Sequence, residues 1–147
     1  MPFNDYVDLR GLALIIQVFY GSSDLIPLKR MLREFGGDIS EWILLIWKKI
    51  QKNKHLKNVY ASYVNDTKEE LFDSIEDIHN FFKSEENFNK LLNGELGDNL
   101  IRKYKCLFLT DYYKEVIKFA ISIGRSITEK QHSEMLKTNN ISHRYTQ

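Results

Sequence analysis

The chain has 147 residues, of which 43% are hydrophobic and 28% are charged, and this balance excludes global disorder. Its 21 basic and 20 acidic residues nearly cancel, so net charge gives no general attraction to nucleic acid or to an anionic membrane. The single cysteine, Cys106, excludes an internal disulfide and a thiolate metal cluster, and we expect a reducing, cytoplasmic setting. Two prolines and seven glycines favour helices over a fold with many turns.

The first fifty residues contain apolar blocks separated by the turn signals 21–23 (GSS) and 36–38 (GGD). The first block, 5–20, has apolar residues at helical spacing and is stopped by Gly21. Its charge-free stretch is too short to span a bilayer, which needs about 20 apolar residues. Acidic residues precede it, whereas a signal peptide begins with positive charge. We therefore expect a folded helix and no membrane span.

A second helix follows, capped by Ser23 or Asp24, with Pro27 in its first turn. Its apolar face is opposed by a mainly basic face, and Gly36-Gly37 ends it. The basic residues are Lys29, Arg30 and Arg33. A third helix begins at Asp38 or Ser40.

The third helix is apolar at six consecutive positions, Trp42–Trp47. A helix that is apolar all round is buried on several sides or lies in an interface. Two interpretations follow: this is the central helix of a bundle, or part of it docks another chain. The candidate partner-binding residues are Trp42, Leu44, Leu45 and Trp47.

Further helices are predicted downstream. Residues 59–64 (VYASYV) could form a strand, but without a partner strand a helical or extended connector is favoured. Asp66 and Glu69 resemble a capping box that starts an amphipathic helix reaching Lys83. A shorter helix begins at Ser84 and stops at Asn93-Gly94.

The longest predicted helix covers residues 97–123, and its apolar stripe rotates by roughly 100° along its length. This rotation predicts different packing neighbours at its two ends, or a bend in the middle. Beyond Gly124 the composition becomes polar, with a weak helix capped by Ser126 and a mobile tail over 137–147. We expect an all-α irregular bundle of roughly five to seven helices, with a helical domain over 1–124 and its weak helix and tail over 125–147.

One metal-ligand pattern is present. Glu76-x-x-His79 and Glu129-x-x-His132 match the paired motif of di-iron carboxylate bundles. Two features argue for ordinary surface charge instead: Glu76 points away from the apolar stripe of its helix, and little chain separates Glu115, a candidate further ligand, from Glu129.

No catalytic residue is predicted. The chain has no phosphate-binding glycine loop, no dinucleotide fingerprint and no nucleophile elbow, and no cofactor is expected. The basic run from Lys48 to Lys57, with Trp47 and Tyr60, could contact phosphates and stack bases. A solvated, basic helix end is the favoured interpretation, so we do not expect a nucleic-acid partner.

The N-terminal part has the order aliphatic helix, tyrosine-glycine turn, basic helix and apolar helix. The blocks in this order are Arg10-Gly-Leu-Ala, Phe19-Tyr20-Gly21, 28–35 (LKRMLREF) and 39–44 (ISEWIL). This order resembles the helical C-terminal region of radical SAM proteins that carry a cobalamin-binding domain, and 93–98 (NGELGD) adds to the resemblance. The resemblance implies an accessory domain, a separately expressed fragment or a stand-alone relative, and no catalytic residue carries over. The Cys-x-x-x-Cys-x-x-Cys motif that holds that family's cluster and its Asp-x-His-x-x-Gly corrinoid motif are absent here.

Three functional hypotheses follow from the sequence. The first is a non-catalytic accessory or interaction domain, associated with a cobalamin-dependent radical SAM enzyme. The second is a stand-alone helical adaptor or regulator that acts through homo- or hetero-association, with a homodimer formed through Trp42–Trp47. The third is a di-iron or other metal-binding helical enzyme that uses Glu76, His79, Glu129 and His132.

Overall fold

The computed structural model describes residues 2–70, 75–93 and 99–144. Within these ranges it contains eight α-helices and no β-strand, which confirms the all-α class and exceeds the predicted number of helices. The helices are α1 (Phe3–Ile15), α2 (Ile26–Glu34), α3 (Ile39–Ile50), α4 (Lys57–Glu69), α5 (Ile75–Phe82), α6 (Glu85–Leu92), α7 (Leu100–Thr110) and α8 (Tyr113–Arg144). A π-helical turn, Ile16–Tyr20, continues α1, and a 3₁₀ turn, Ser23–Leu25, precedes α2.

The predicted boundary between α2 and α3 is confirmed in its details. Gly36 has a φ of 75°, a conformation that glycine adopts without steric cost. The N–H of Gly37 then donates to the carbonyl of Leu32 at 2.8 Å, which satisfies an end carbonyl of α2. Asp38 caps α3, because its carboxylate accepts a hydrogen bond from the N–H of Ser40 at 2.7 Å.

The predicted helix start at Asp66 is wrong. Asp66 lies inside α4, which also contains the strand-like residues 59–64. Its carboxylate accepts a hydrogen bond from the hydroxyl of Tyr104 at 2.7 Å and lies 3.7 Å from the ammonium of Lys103. A tertiary contact to α7 therefore uses the side chain that resembled a cap. The part of the predicted stripe at 71–74 lies outside the described residues.

The predicted helix over residues 97–123 is divided into α7 and α8. The N–H groups of Asp111 and Tyr112 both donate to the carbonyl of Leu107, at 3.0 and 3.3 Å, which ends the regular ladder. The predicted rotation of the apolar stripe corresponds to this break.

The separate weak helix predicted at Ser126 is wrong, because α8 runs without interruption from Tyr113 to Arg144. The hydroxyl of Ser126 donates to the carbonyl of Ile123 at 2.7 Å, so it bonds within the helix. Ile127, beyond the predicted boundary at 124, is buried in the core. The predicted mobile tail is helical as far as Arg144, and residues 145–147 lie outside the described residues.

The core is assembled around α1 and its π turn. This segment packs against α3, α4 and α7, while α8 covers α2, α3 and α7. Phe19 illustrates the packing, since its ring makes edge contacts with Trp42 at 6.5 Å and with Phe119 at 6.3 Å between ring centroids. Each of these helices contributes fully buried residues to the core, and the contribution of α2 is Leu32.

The helices α5 and α6 lie apart from this core. They pack chiefly against each other, and α5 has no buried residue. Four apolar side chains of this hairpin are exposed, namely Ile75, Ile78, Phe88 and Leu92.

The lengths and apolarity of the described helices bear on whether any of them could span a membrane. No single one combines the length and apolarity needed to cross a bilayer, and the pair Phe3–Tyr20 and Ser23–Glu34 reaches them only together, with a 67° bend between its halves.

Candidate functional site

The π turn Ile16–Tyr20 is the irregular element around which the candidate site is built. The N–H of Gly21 donates to the carbonyl of Ile16 at 3.0 Å, a bond five residues back instead of four. Val18 and Phe19 still point into the core, whereas Ile16 and Tyr20 stay exposed. This π turn ends the first helix, a place where such turns are common, and its extra residue displaces the neighbouring side chains.

An open, mainly apolar trough runs between this turn and α3, with a volume of about 490 Å³. We call it the docking groove. Its exposed apolar side chains are Ile16 at 40%, Tyr20 at 47% and Leu44 at 41% exposure. The full lining is Leu12, Ile16, Tyr20, Arg33, Ile39, Ser40, Ile43 and Leu44.

A smaller cavity of about 250 Å³ continues the groove at the α2 side, because Tyr20 and Arg33 line both. We call it the basic mouth. It is lined by Tyr20, Ile26, Lys29, Arg30 and Arg33. Within the described ranges, none of its three cationic side chains takes part in an ion pair.

Lys29 shows how the mouth is organised. Its ammonium donates to the main-chain carbonyls of Tyr20 and Ser22 and lies 4.8 Å from the centre of the Tyr20 ring. Partial burial lowers the pKa of Lys29, and the neighbouring charge of Arg33 lowers it further. Lys29 therefore ties α2 to the end of the π turn, while Arg30 and Arg33 remain directed to solvent.

The structure separates the four residues of the predicted partner surface. Trp42 is completely buried, and its indole N–H donates to the carbonyl of Ala120 at 3.1 Å. Leu45 and Trp47 are half-buried against the core, and the indole N–H of Trp47 donates to the hydroxyl of Tyr60 at 3.0 Å. Leu44 alone among the four is an exposed groove residue.

The predicted metal ligands lie on two separate helices. Glu76 and His79 belong to α5, whereas Glu129 and His132 belong to α8. In the part of the chain that the structure describes, no three His, Cys, Asp or Glu side chains lie close enough together to hold one metal ion. The two Glu-x-x-His pairs therefore do not meet.

Glu129 and His132 instead line a shallow cavity of about 450 Å³ between α2 and α8, together with the exposed Met31 and Phe35. The basic run after α3 offers little for base stacking, since Tyr60 is buried and its hydroxyl is bonded to Trp47. Cys106 is exposed on α7.

The sequence predicted Leu44 as a candidate contact but missed the rest of the groove. Tyr20 of the π turn and Arg33 of α2 line the same cavity although they belong to different elements. The one available signal was the basic face of the second helix, whose Lys29, Arg30 and Arg33 form the mouth.

Comparison with known proteins gives no relative: no protein-family model, no curated protein and no solved structure matches this chain.

Proposed function

We propose that this chain is a non-catalytic helical interaction domain that binds an amphipathic helix of a partner protein in the docking groove. The observation that carries the proposal is the continuity of an exposed apolar trough with a mouth whose two arginines form no ion pair within the described residues. Helix-in-groove recognition uses apolar anchors spaced along one helix face, and these would contact Ile16, Tyr20 and Leu44.

The shape of the groove favours a helix over a small ligand. Small-molecule sites enclose about 70–90% of the ligand surface within a cleft. Here three groove side chains are each at least 40% exposed, so the trough is open along its length. A rod-like partner can lie in such a trough.

The charge of the mouth indicates the chemistry of the partner. Arg30 and Arg33 are exposed and, among the described residues, have no acidic partner. A carboxylate at one end of the bound helix would pair with the Arg33 guanidinium in a bidentate manner. The preferred occupant is therefore a helix with an apolar face and an acidic end.

The proposal includes two settings for this partner. In the first, the helix belongs to the remainder of an enzyme of the cobalamin-dependent radical SAM kind, as the order of helices and turns in the sequence suggests. In the second, the chain is a stand-alone cytoplasmic adaptor. The groove chemistry supports both equally, and neither requires a catalytic residue in this chain.

Fluorescence anisotropy with a designed peptide tests the proposal. The probe is a labelled amphipathic helix with leucines at i, i+3, i+4 and i+7 and glutamates at one end. We expect saturable binding that Leu44→Lys weakens by about tenfold or more, which corresponds to roughly 1.4 kcal/mol.

The matched control is Leu9→Lys, since Leu9 is also an exposed leucine at 54% exposure but does not line the groove. A probe with lysines in place of the glutamates should bind more weakly than the acidic probe. Equal binding by the Leu44→Lys and Leu9→Lys variants, or no binding by the natural chain, would contradict the proposed function.

A further inference from the structure

The hairpin of α5 and α6 has the features that the docking groove is proposed to recognise. Ile75 and Ile78 lie on one side of α5 and are exposed, Ile75 at 75% and Ile78 at 37%. Both side chains fall on the apolar stripe of this helix, because positions three apart share a face. The rest of the described bundle does not bury this stripe.

The same hairpin has exposed acidic residues close to these isoleucines in the chain. Glu76 follows Ile75 in the first turn of α5, about 100° around the helix from it, and Glu85 begins α6; both are exposed. The hairpin thus pairs an exposed apolar face with carboxylates, whereas the groove pairs an exposed apolar trough with the cations of the basic mouth. The two surfaces complement each other in polarity and in charge.

We propose that the docking groove is occupied by α5 of a second copy of this chain. The inference rests on the proposed function, since it names the partner helix for the same groove. Ile75 and Ile78 of one copy would contact Ile16 and Leu44 of the other.

In this complex the Glu76 carboxylate would accept hydrogen bonds from the Arg33 guanidinium of the other copy. Each copy has both surfaces, so a twofold dimer would contain two such contacts. A single short helix would bury less area than a stable interface needs. The second contact doubles the area that the dimer buries.

Sedimentation equilibrium over a wide range of concentration tests the proposal on the full chain. We expect a reversible monomer–dimer equilibrium for the natural sequence. Arg33→Glu and Glu76→Arg should each weaken dimerisation by about tenfold or more, because each places like charges opposite one another in both contacts. Lys54→Glu, a charge reversal on an exposed loop residue outside the groove, should leave the equilibrium unchanged.

An equimolar mixture of the Arg33→Glu and Glu76→Arg chains gives the sharper result. In the mixed dimer one contact has both charges reversed and the other has natural charges, so dimerisation should return to the natural strength. Restoration supports the proposal, and failure of the mixture to dimerise overturns it.

Disulfide trapping gives a second readout in a Cys106→Ser background. A mixture of Leu44→Cys and Ile78→Cys chains should form a cross-linked heterodimer on mild oxidation, whereas Leu9→Cys with Ile78→Cys should not. A chain that stays monomeric at every concentration but still binds the designed acidic peptide would overturn this inference and leave the proposed function intact. Loss of both activities would overturn both.

Discussion

Gly11 sets how closely α1 approaches α4. A Cβ atom at this position would lie 2.3 Å from the hydroxyl of Tyr60. Tyr60 cannot move away easily, because its ring is buried and its hydroxyl accepts the hydrogen bond from Trp47 at 3.0 Å. The absence of a side chain at Gly11 thus permits a contact among α1, α3 and α4.

We expect Gly11→Ala to lower the free energy of unfolding by about 1–3 kcal/mol, the usual effect of overpacking a core. The intrinsic helix preference of alanine offsets part of this loss. Urea denaturation followed by circular dichroism measures the change. Gly124→Ala is the matched control, because a Cβ there meets only the flexible ends of Leu28 and Leu32, at 3.3 and 3.4 Å. A cost for Gly11→Ala no larger than that of the control would contradict this account.

At the scale of elements, local signals predicted the boundary between α2 and α3 correctly but gave false helix starts at Asp66 and Ser126. Gly36 and Asp38 act through hydrogen bonds to residues a few positions away, so their roles follow from the sequence alone. Asp66 and Ser126 have equally good cap patterns but lie inside helices. Their side chains bond elsewhere, Asp66 to Tyr104 of α7 and Ser126 to the preceding turn of its own helix.

The docking groove could not be predicted for a related reason. Helical spacing placed Leu44 on the apolar third helix, but its exposure depends on which sides α1 and α8 cover. The π turn adds one residue to an otherwise regular pattern, and no local signal in 16–20 distinguishes it from α-helix. The location of the candidate site therefore depends on packing between residues far apart in the chain.

Deletion of Gln17 tests the role of the π turn. The hydrogen bond from Gly21 to Ile16 closes a segment of five residue steps. Removing one residue from this segment restores the four-residue spacing of an α-helix. Gln17 is exposed, so the core residues on either side keep their places. We expect this variant to fold with equal or greater stability but to lose binding of the acidic peptide.

Deletion of Leu9 provides the contrast, because a residue lost from the regular part of α1 rotates the preceding turns by about 100° relative to the core. We expect that variant to be destabilised. Urea denaturation and peptide anisotropy on both deletions separate the two effects. Full peptide binding after deletion of Gln17 would show that the groove does not need the π turn.

At the scale of the whole molecule, buried tyrosines connect α4 and α7 to the bundle. Burial raises the pKa of Tyr60, Tyr63 and Tyr104, and the Asp66 carboxylate raises that of Tyr104 further. A raised pKa means that the folded state favours the neutral phenol. The stability that these phenols contribute is therefore complete below their ordinary pKa of 10.0 and is lost as pH rises beyond it.

We expect the free energy of unfolding to fall steeply above pH ~10, and Tyr104→Phe to make that fall shallower. At neutral pH the same substitution should cost about 1 kcal/mol, because it removes the 2.7 Å bond to Asp66 and leaves Lys103 as the partner of that carboxylate. Urea denaturation at a series of pH values measures both effects. Tyr113→Phe is the comparison, since Tyr113 is exposed and its raised pKa is due first to the charge of Asp24, so its substitution should change the slope less than Tyr104→Phe does. An unchanged slope in the Tyr104→Phe chain would contradict this assignment.

The fluorescence of the two tryptophans reports on two different contacts of the bundle. Trp42 has a fully enclosed indole at the contact of α3 with α8, whereas Trp47 is partly open to solvent beside α4. An enclosed indole emits at shorter wavelength than a hydrated one, so the two tryptophans should differ in their emission maxima. In a variant with phenylalanine in place of one tryptophan, the emission of the remaining indole would shift when the side of α3 on which that indole lies becomes exposed to water. Loosening of α8 and loosening of α4 would then be seen as two separate events.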